Sequence, residues 1–455
     1  MDMRQLFSVL AFALSVVVQT PAQVMSLNQC ITYALENNLT YANTHIEATI
    51  AREQYLQSNR VFLPAVVGGS SANKMFGRSI DPTTNTFINQ DFFSMNFYVD
   101  SQLDLFRGFA RLNSAKFQRM QMLIKKENAK QQKIAIAFEV MNRYYDVLYF
   151  NRLQEIVQNQ VELTAINLQK TEGLIELGLK AESDLLEMKA QQAGEQHNLL
   201  VARNQYDQAL LALKNLMNFP PDEELSVSNE DLDVSADLIP IPELIYNTAL
   251  QHMPSIKQAD FNADAAQKQL SIARGELLPR LSLGAGIYTN YADSRREYLN
   301  PGNPENSATR TVPFKNQWEQ NMAQSIYLSL QIPIFNKWNG MTQVKRAHLQ
   351  RTIAFNRQLE EKQKLYQLVH EDVQQLQSLR KERDMLNAKK DALQEAYAVA
   401  DKKLQQGLIS IIEFYTAKNQ LAQAEADLMR TLLQLKIKDT TIRYYMGEVE
   451  QFSKE

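Results

Sequence analysis

The chain has 455 residues, of which 45% are hydrophobic and 22% charged, with a formal net charge of −3 and a single cysteine. The length exceeds that of one ordinary domain, the near-neutral charge argues against a nucleic-acid partner, and one cysteine excludes an intrachain disulfide framework. Residues 1–22 read as a secretory signal: Arg4, an apolar run from Leu6 to Val18, then Thr20-Pro21-Ala22 as a small-residue cleavage site. That run is too short to span a bilayer as a helix, and no later segment supplies 18 apolar residues in a row. An exported chain of this kind can still enter an outer membrane as a β-barrel. Cys30 follows bulky Gln29 and lies well past the apolar run, so a helix-core position is expected for it rather than a lipid anchor.

A helix is expected over 26–62. It cannot continue through Pro64, after which small and β-branched residues (AVVGGS) point to a strand over about 65–76. A second strand is expected over about 94–106, where Met95, Phe97, Val99, Leu103 and Leu105 alternate with Ser94, Asn96, Tyr98, Asp100, Gln102 and Asp104. Residues 109–172 contain neither proline nor glycine and are rich in helix formers, which predicts one very long helix ending near Gly178. Another helix should run from about Ser183 to Asn218. Residues 219–240 carry seven acidic residues and no basic one, with proline at both ends, and read as a linker.

The pattern then repeats. A helix leads to Pro279, strands are expected over about 280–291 and 324–335, and residues 341–406 again lack proline and glycine. Leu365, Val369, Val373, Leu376, Leu379, Leu386 and Leu393 form a coiled-coil-like seam along that helix. It should end at Gly407, and a last helix should run from about Ser410 to Tyr445. Tyr33 aligns with Thr248 and Pro64 with Pro279, both at an offset of 215. Gly178 aligns with Gly407 and Met217 with Met446, both at 229. A constant offset on each side of one 14-residue insertion marks a tandem repeat: residues 23–218, the linker 219–240, residues 241–447 and a tail 448–455. Helices of roughly 100 Å belong to a bundle, fibre or tube. Four strands with one apolar and one polar face suit a membrane barrel but cannot close one, since about eight strands are the minimum, so several chains would have to contribute. The competing reading is a periplasmic coiled-coil scaffold or adaptor whose sheet packs on its own helices. The loops 77–92 and 292–323 read as solvent-exposed tips.

The opening LNQCITYALENN, the breaks FLPAVVGG and LLPRLSLGAG, the strand exits QLDLFRGFARLNSAK and SLQIPIFNKWNGMTQVKRA, and the turns LIELGLKAESDLLEMKAQ and KLQQGLISIIEFYTAKNQL, in that duplicated order, resemble the TolC family of outer-membrane efflux proteins. The resemblance implies a mainly α fold with a β part. Three identical chains would share one transmembrane barrel, set in outer-membrane lipid, and one long helical tube in the periplasm of a Gram-negative cell. It implies a passive exit duct that docks on a periplasmic adaptor and an inner-membrane pump, either a proton-driven exporter or an ATP-driven secretion system. By the same resemblance Leu177, Gly178, Leu179, Gln406, Gly407 and Leu408 would touch the adaptor. Asp184 and Glu413, at matching positions in the two repeats, would ring the pore aperture. Helix capping is the plainer reading of Asp184, and Glu413 is expected deeper in its helix. Better-known members of the family carry an arginine two residues after the second tip glycine that helps latch the tube closed, where Ile409 stands here. Pro64 and Pro279 are expected to mark the helix-to-strand junctions.

Enzymatic readings find little support. The five histidines have no metal-ligand spacing. No phosphate loop, nucleophile elbow or CxxC is present. Neither a metal, a cofactor nor a catalytic residue is expected.

Overall fold

The computed structural model describes residues 23–80, 85–229, 241–299 and 308–448. The expected signal segment 1–22, half of the acidic linker (230–240) and the last residues of the tail lie outside these.

The first repeat begins with a short strand, β1 (Gln23–Met25), followed by α1 (Leu27–Asn37) and α2 (Leu39–Arg60). It continues through β2 (Ala65–Met75), β3 (Arg78–Ile80), β4 (Phe87–Asn89), β5 (Phe92–Arg107), α3 (Ala110–Glu176) and α4 (Glu182–Met217). Strand β6 (Leu225–Val227) lies in the linker. The second repeat contains α5 (Pro242–His252), α6 (Pro254–Gly275), β7 (Arg280–Ala292), β8 (Arg296–Tyr298) and β9 (Thr309–Thr311). It closes with α7 (Phe314–Gln320), β10 (Ala323–Gln331), α8 (Asn339–Gln405) and α9 (Ile411–Met446). Corresponding helices have equal lengths: 11, 22, 67 and 36 residues in each repeat.

Local chemistry sets the boundaries. Ser26 and Gln29 form a reciprocal capping box that starts α1. The single helix expected over 26–62 is broken at Asn38, whose side-chain oxygen accepts from the backbone N–H groups of Thr40 and Tyr41 and so caps α2. The equivalent break in the second repeat falls at Met253, where Pro254 cannot supply the N–H that a continuing helix needs but fits the first turn of a new one. The C-termini of α4 and α9 also correspond, with Asn218 and Gly447 both left-handed.

The described residues form two compact units, one drawn from 23–47, 126–258 and 359–448, the other from 48–125 and 259–358. In the first unit, Cys30, Ile31 and Ala34 of α1 pack against Val140, Tyr144 and Leu148 of α3 and Leu213 and Met217 of α4. The linker is partly structured, because β6 pairs in parallel with β1 and Tyr144 donates a hydrogen bond to the Ser228 carbonyl at 2.7 Å. Ile245, Ala249 and Ile256 pack against the seam residues Leu365, Val369, Val373 and Leu376.

The second unit holds one antiparallel four-stranded sheet in the order β10-β7-β5-β2. Its strands differ from expectation in two places. Strand β10 ends at Gln331 rather than 335, since Pro333 has no N–H to give a ladder. In β5 the register shifts between Asp104 and Phe106, which leaves Leu105 outside the ladder and brings Phe106 opposite Leu281. The loops at the far end of the sheet contain the short hairpins β3–β4 and β8–β9 and the helix α7.

Candidate functional site

Two places answer to the residues singled out in the sequence: the helix tips and the sheet with its junctions. At the tips, α3 ends with Gly178 at φ 70° and α8 ends with Gly407 at φ 71°. Gly178 N donates to the Ile175 carbonyl and Leu179 N to the Leu174 carbonyl, both at 2.8 Å. Gly407 N and Leu408 N repeat the pattern to Leu404 and Lys403 at 3.0 and 2.9 Å. These paired bonds satisfy the last helix carbonyls and need a left-handed residue at the turn, which glycine adopts without strain. They also push the flanking leucines outward: Leu177 is 74% and Leu408 67% exposed.

Asp184 and Glu413 each occupy the third position of the helix that follows the turn, so Glu413 is no deeper in its helix than Asp184. Ser410 caps α9 by accepting from Glu413 N at 3.2 Å, whereas Ala181 gives α4 no side-chain cap. Both carboxylates stand where a helix N-terminus favours negative charge. Ile409 is apolar and packs against the cluster of Met188, Ile411, Phe414 and Tyr415, so a cationic latch at that position is absent.

Beside this cluster lies a buried polar group that the sequence did not single out. Lys418 Nζ meets Glu195 Oε1 at 3.1 Å, Thr164 Oγ1 at 2.9 Å and the Gln160 carbonyl at 2.7 Å. The Lys418 and Glu195 side chains are only 6% and 3% exposed. Burial pushes the Lys418 ammonium below the ordinary lysine range, against the pull of Glu195. A charged residue every few positions is ordinary on an exposed helix face, so only the three-helix packing distinguishes this lysine.

At the junctions, α2 ends at Arg60 and α6 at Gly275. Each is followed by a short turn, then by Pro64 or Pro279 immediately before β2 or β7. The chain leaves each hairpin through two consecutive left-handed residues, Gly108-Phe109 and Lys337-Trp338, before the long helix begins. The sheet itself has an apolar face bearing Val99, Leu283, Ile287, Ile326 and Leu328, with Ile326 82% and Leu328 64% exposed. The opposite face carries Tyr98, Asp100, Tyr288 and Tyr327, and Tyr288 donates to Asp100 at 2.5 Å. Both outer strands, β2 and β10, have one side without a partner strand among the described residues. No helix among the described residues is long and apolar enough to cross a membrane. None of their His, Cys, Asp and Glu side chains forms a group able to hold a metal.

Residues 30–218 and 245–448 match the family described as outer membrane efflux protein, one segment in each repeat. Outer membrane protein TolC of Escherichia coli is 24% identical over 307 residues, which is 64% of this chain and 59% of that protein. The probable efflux pump outer membrane protein TtgC of Pseudomonas putida is 23% identical over 89% of this chain and 79% of its own length. The crystal structure of the outer membrane protein VceC from Vibrio cholerae has the same fold, with a TM-score of 0.74 at 17% identity over 92% of this chain and 96% of that one. The duplicated helices, the exposed apolar sheet face and these matches lead to one conclusion: the chain belongs to the outer membrane efflux protein family, the TolC-like channels that serve as exit ducts of efflux systems in the Gram-negative outer membrane, with a large part in the periplasm.

Proposed function

We propose that three copies of this chain close one barrel and one tube, and that the assembly carries cargo passively from a periplasmic adaptor and inner-membrane pump to the cell exterior. The open four-stranded sheet carries this reading. Its apolar face would be unstable in water, its two edge strands are unpaired, and four strands are too few to enclose a channel. Neighbouring strands are antiparallel throughout, so β2 of one copy and β10 of the next would also meet antiparallel. Three sheets of four strands give 3 × 4 = 12, an even number that closes without an edge. A heat-modifiable trimer extracted from outer membranes and conducting in planar bilayers is expected. A water-soluble monomer with no affinity for membranes would sink the idea and restore the scaffold reading.

The exposed leucines at the two tips, Leu177, Leu179 and Leu408, with Gly178, Gln406 and Gly407 between them, form the surface proposed to meet the adaptor. Asp184 and Glu413, three copies of each, would concentrate negative charge around the aperture and favour cations. Replacing both with Ala is expected to lower the cation-to-anion permeability ratio of the reconstituted trimer and to relieve block by polyvalent cations. Unchanged reversal potentials in a salt gradient would remove both residues from the aperture.

A further inference from the structure

The geometry points to α7 as an interfacial anchor that fixes the depth of the barrel in the outer leaflet, with Phe314 and Trp318 seated at the lipid headgroup boundary. This rests on the barrel reading above. Residues of β5 and β7 alternate between faces, and Phe97, Thr289 and Tyr291 share the apolar face with Val99 and Ile287. Helix α7 packs on that face. The Trp318 ring lies 4.9 Å from that of Phe97, and Phe314 lies 6.0 Å from Phe97 and 5.5 Å from Tyr291. The helix therefore sits outside the barrel wall, on the side that faces lipid, and not over the lumen.

It is also held rigidly. Gln317 is fully buried beneath the helix, accepting from Ala292 N at 3.0 Å and donating to the Ala292 and Val312 carbonyls at 2.9 Å. Thr289 donates to the Trp318 carbonyl at 2.9 Å and Asn321 to the Asn290 carbonyl at 2.8 Å. A seven-residue helix has little stability of its own, so these bonds hold it in place. Its other side presents Lys315, Asn316 and Glu319 to solvent, and Phe314 remains exposed.

The height is right for an interface. From Arg280 at the junction to Thr289 under Trp318 is nine strand steps, about 30 Å along the strand and roughly 23 Å across the membrane at barrel tilt. The apolar band of such barrels is about 25 Å tall. Lys74, on the same face and paired with Phe93 at this end of the sheet, is an exposed cation with a long apolar stem that can reach headgroups. Tryptophan, with an apolar ring and one N–H donor, is suited to that boundary.

The chain has two tryptophans, Trp318 and Trp338, so W338F leaves the α7 indole as the sole reporter. In phosphatidylethanolamine vesicles, lipid brominated near the headgroup is expected to quench Trp318 fluorescence roughly twofold more than lipid brominated near the chain end, and aqueous acrylamide is expected to quench it weakly. Strong acrylamide quenching with no effect of either lipid would overturn the proposal. Leu328→Trp in the W318F/W338F background probes mid-strand on the lipid face and should respond most to the deep label. Loss of that response would overturn the barrel reading together with the anchor. Its presence alongside an acrylamide-quenched Trp318 would overturn the anchor alone. Should W338F fail to assemble, W338Y in the same vesicles gives the same readout.

Discussion

Gly275→Ala is expected to destabilise the protein by about 1–3 kcal/mol, the range for forcing atoms into a filled space, although alanine is the better helix former by about 0.5–1 kcal/mol. The sign is set by one close approach. Gly275 ends α6, and a Cβ there would overlap the carbonyl oxygen of Gly108 and stand 3.1 Å from the Ala110 amide nitrogen. A Cβ on Gly108 would in turn overlap the Gly275 carbonyl. Two backbones touch at this joint, and backbone cannot move aside as a side chain can. Gly108 is also left-handed at φ 56°, but that is not what demands glycine. Phe109, Lys337 and Trp338 adopt the same conformation with full side chains. Gly194 lies inside α4 with nothing near its missing Cβ, so Gly194→Ala should be stabilising by about 0.5–1 kcal/mol. Thermal loss of helical circular dichroism in detergent, for the two variants side by side, checks the opposite signs. Equal stabilisation by both would remove the close approach as a constraint. A weakened joint should also lower the yield of the proposed heat-modifiable trimer, because the contact lies beside the Arg107–Glu276 ion pair at 3.1 Å and the turn into β7.

Much of this architecture was legible because its signals are local or repeated. Proline cannot extend a helix, so Pro64 and Pro279 gave the strand starts to within a residue. The two long helices followed from runs without proline or glycine, 109–172 and 341–406, read twice. Gly68 and Gly69 blur the alternation of the segment after Pro64, yet β2 is 11 residues long. The reason is packing on the polar face: a Cβ at Gly69 would stand 2.6 Å from the Tyr98 ring, and one at Gly284 would collide with Tyr327. Those glycines make room for tyrosines on the next strand, which no single-strand pattern reveals. The same holds for contacts between segments distant in sequence. The pairing of β1 with β6 joins residues about 200 apart in sequence. The underside of α7 is defined by Gln317 reaching Ala292, and the helix breaks at Asn38 and Met253 hinge on one cap and one proline. At the tips the sequence could locate Asp184 and Glu413 by repeat offset, but helix depth depends on the exact first residue of each helix, which sequence fixes least well.

Lys418→Met is expected to cost about 3–5 kcal/mol, the range for breaking a buried ion pair by removing one partner. The loss is not chiefly that of the attraction. It is a loss of donors: methionine has none, so Glu195 keeps only Thr164 at 2.5 Å and Gln191 at 3.1 Å and the Gln160 carbonyl loses its lysine partner, whereas an uncharged lysine amine would still donate to both. Replacing both members, as Lys418→Met with Glu195→Leu, should recover most of the loss, because well-packed apolar residues often equal a buried pair. A double variant as unstable as the single would show that the pair itself is net stabilising. The pH dependence follows from the lowered Lys418 pKa. Between that folded value and about 10.4, where unfolded lysine titrates, the unfolded chain binds more protons than the folded one, so stability should rise with pH across that window. Below the window both states hold the charged lysine, and the cost of burying it is fully present. Lys418→Met should flatten that rise in denaturant midpoints measured at increasing pH, and an unaltered slope would assign it to other groups. The site ties α9 to α3 and α4, and hence the second repeat to the first, close to the tips. A paired charge is costly there, but it allows only one register of the three helices, whereas an apolar contact would tolerate sliding. Hydrogen exchange at the amides of residues 411–420 separates the two roles. Faster exchange in a double variant of unchanged global stability would identify the pair as a device for register rather than for stability.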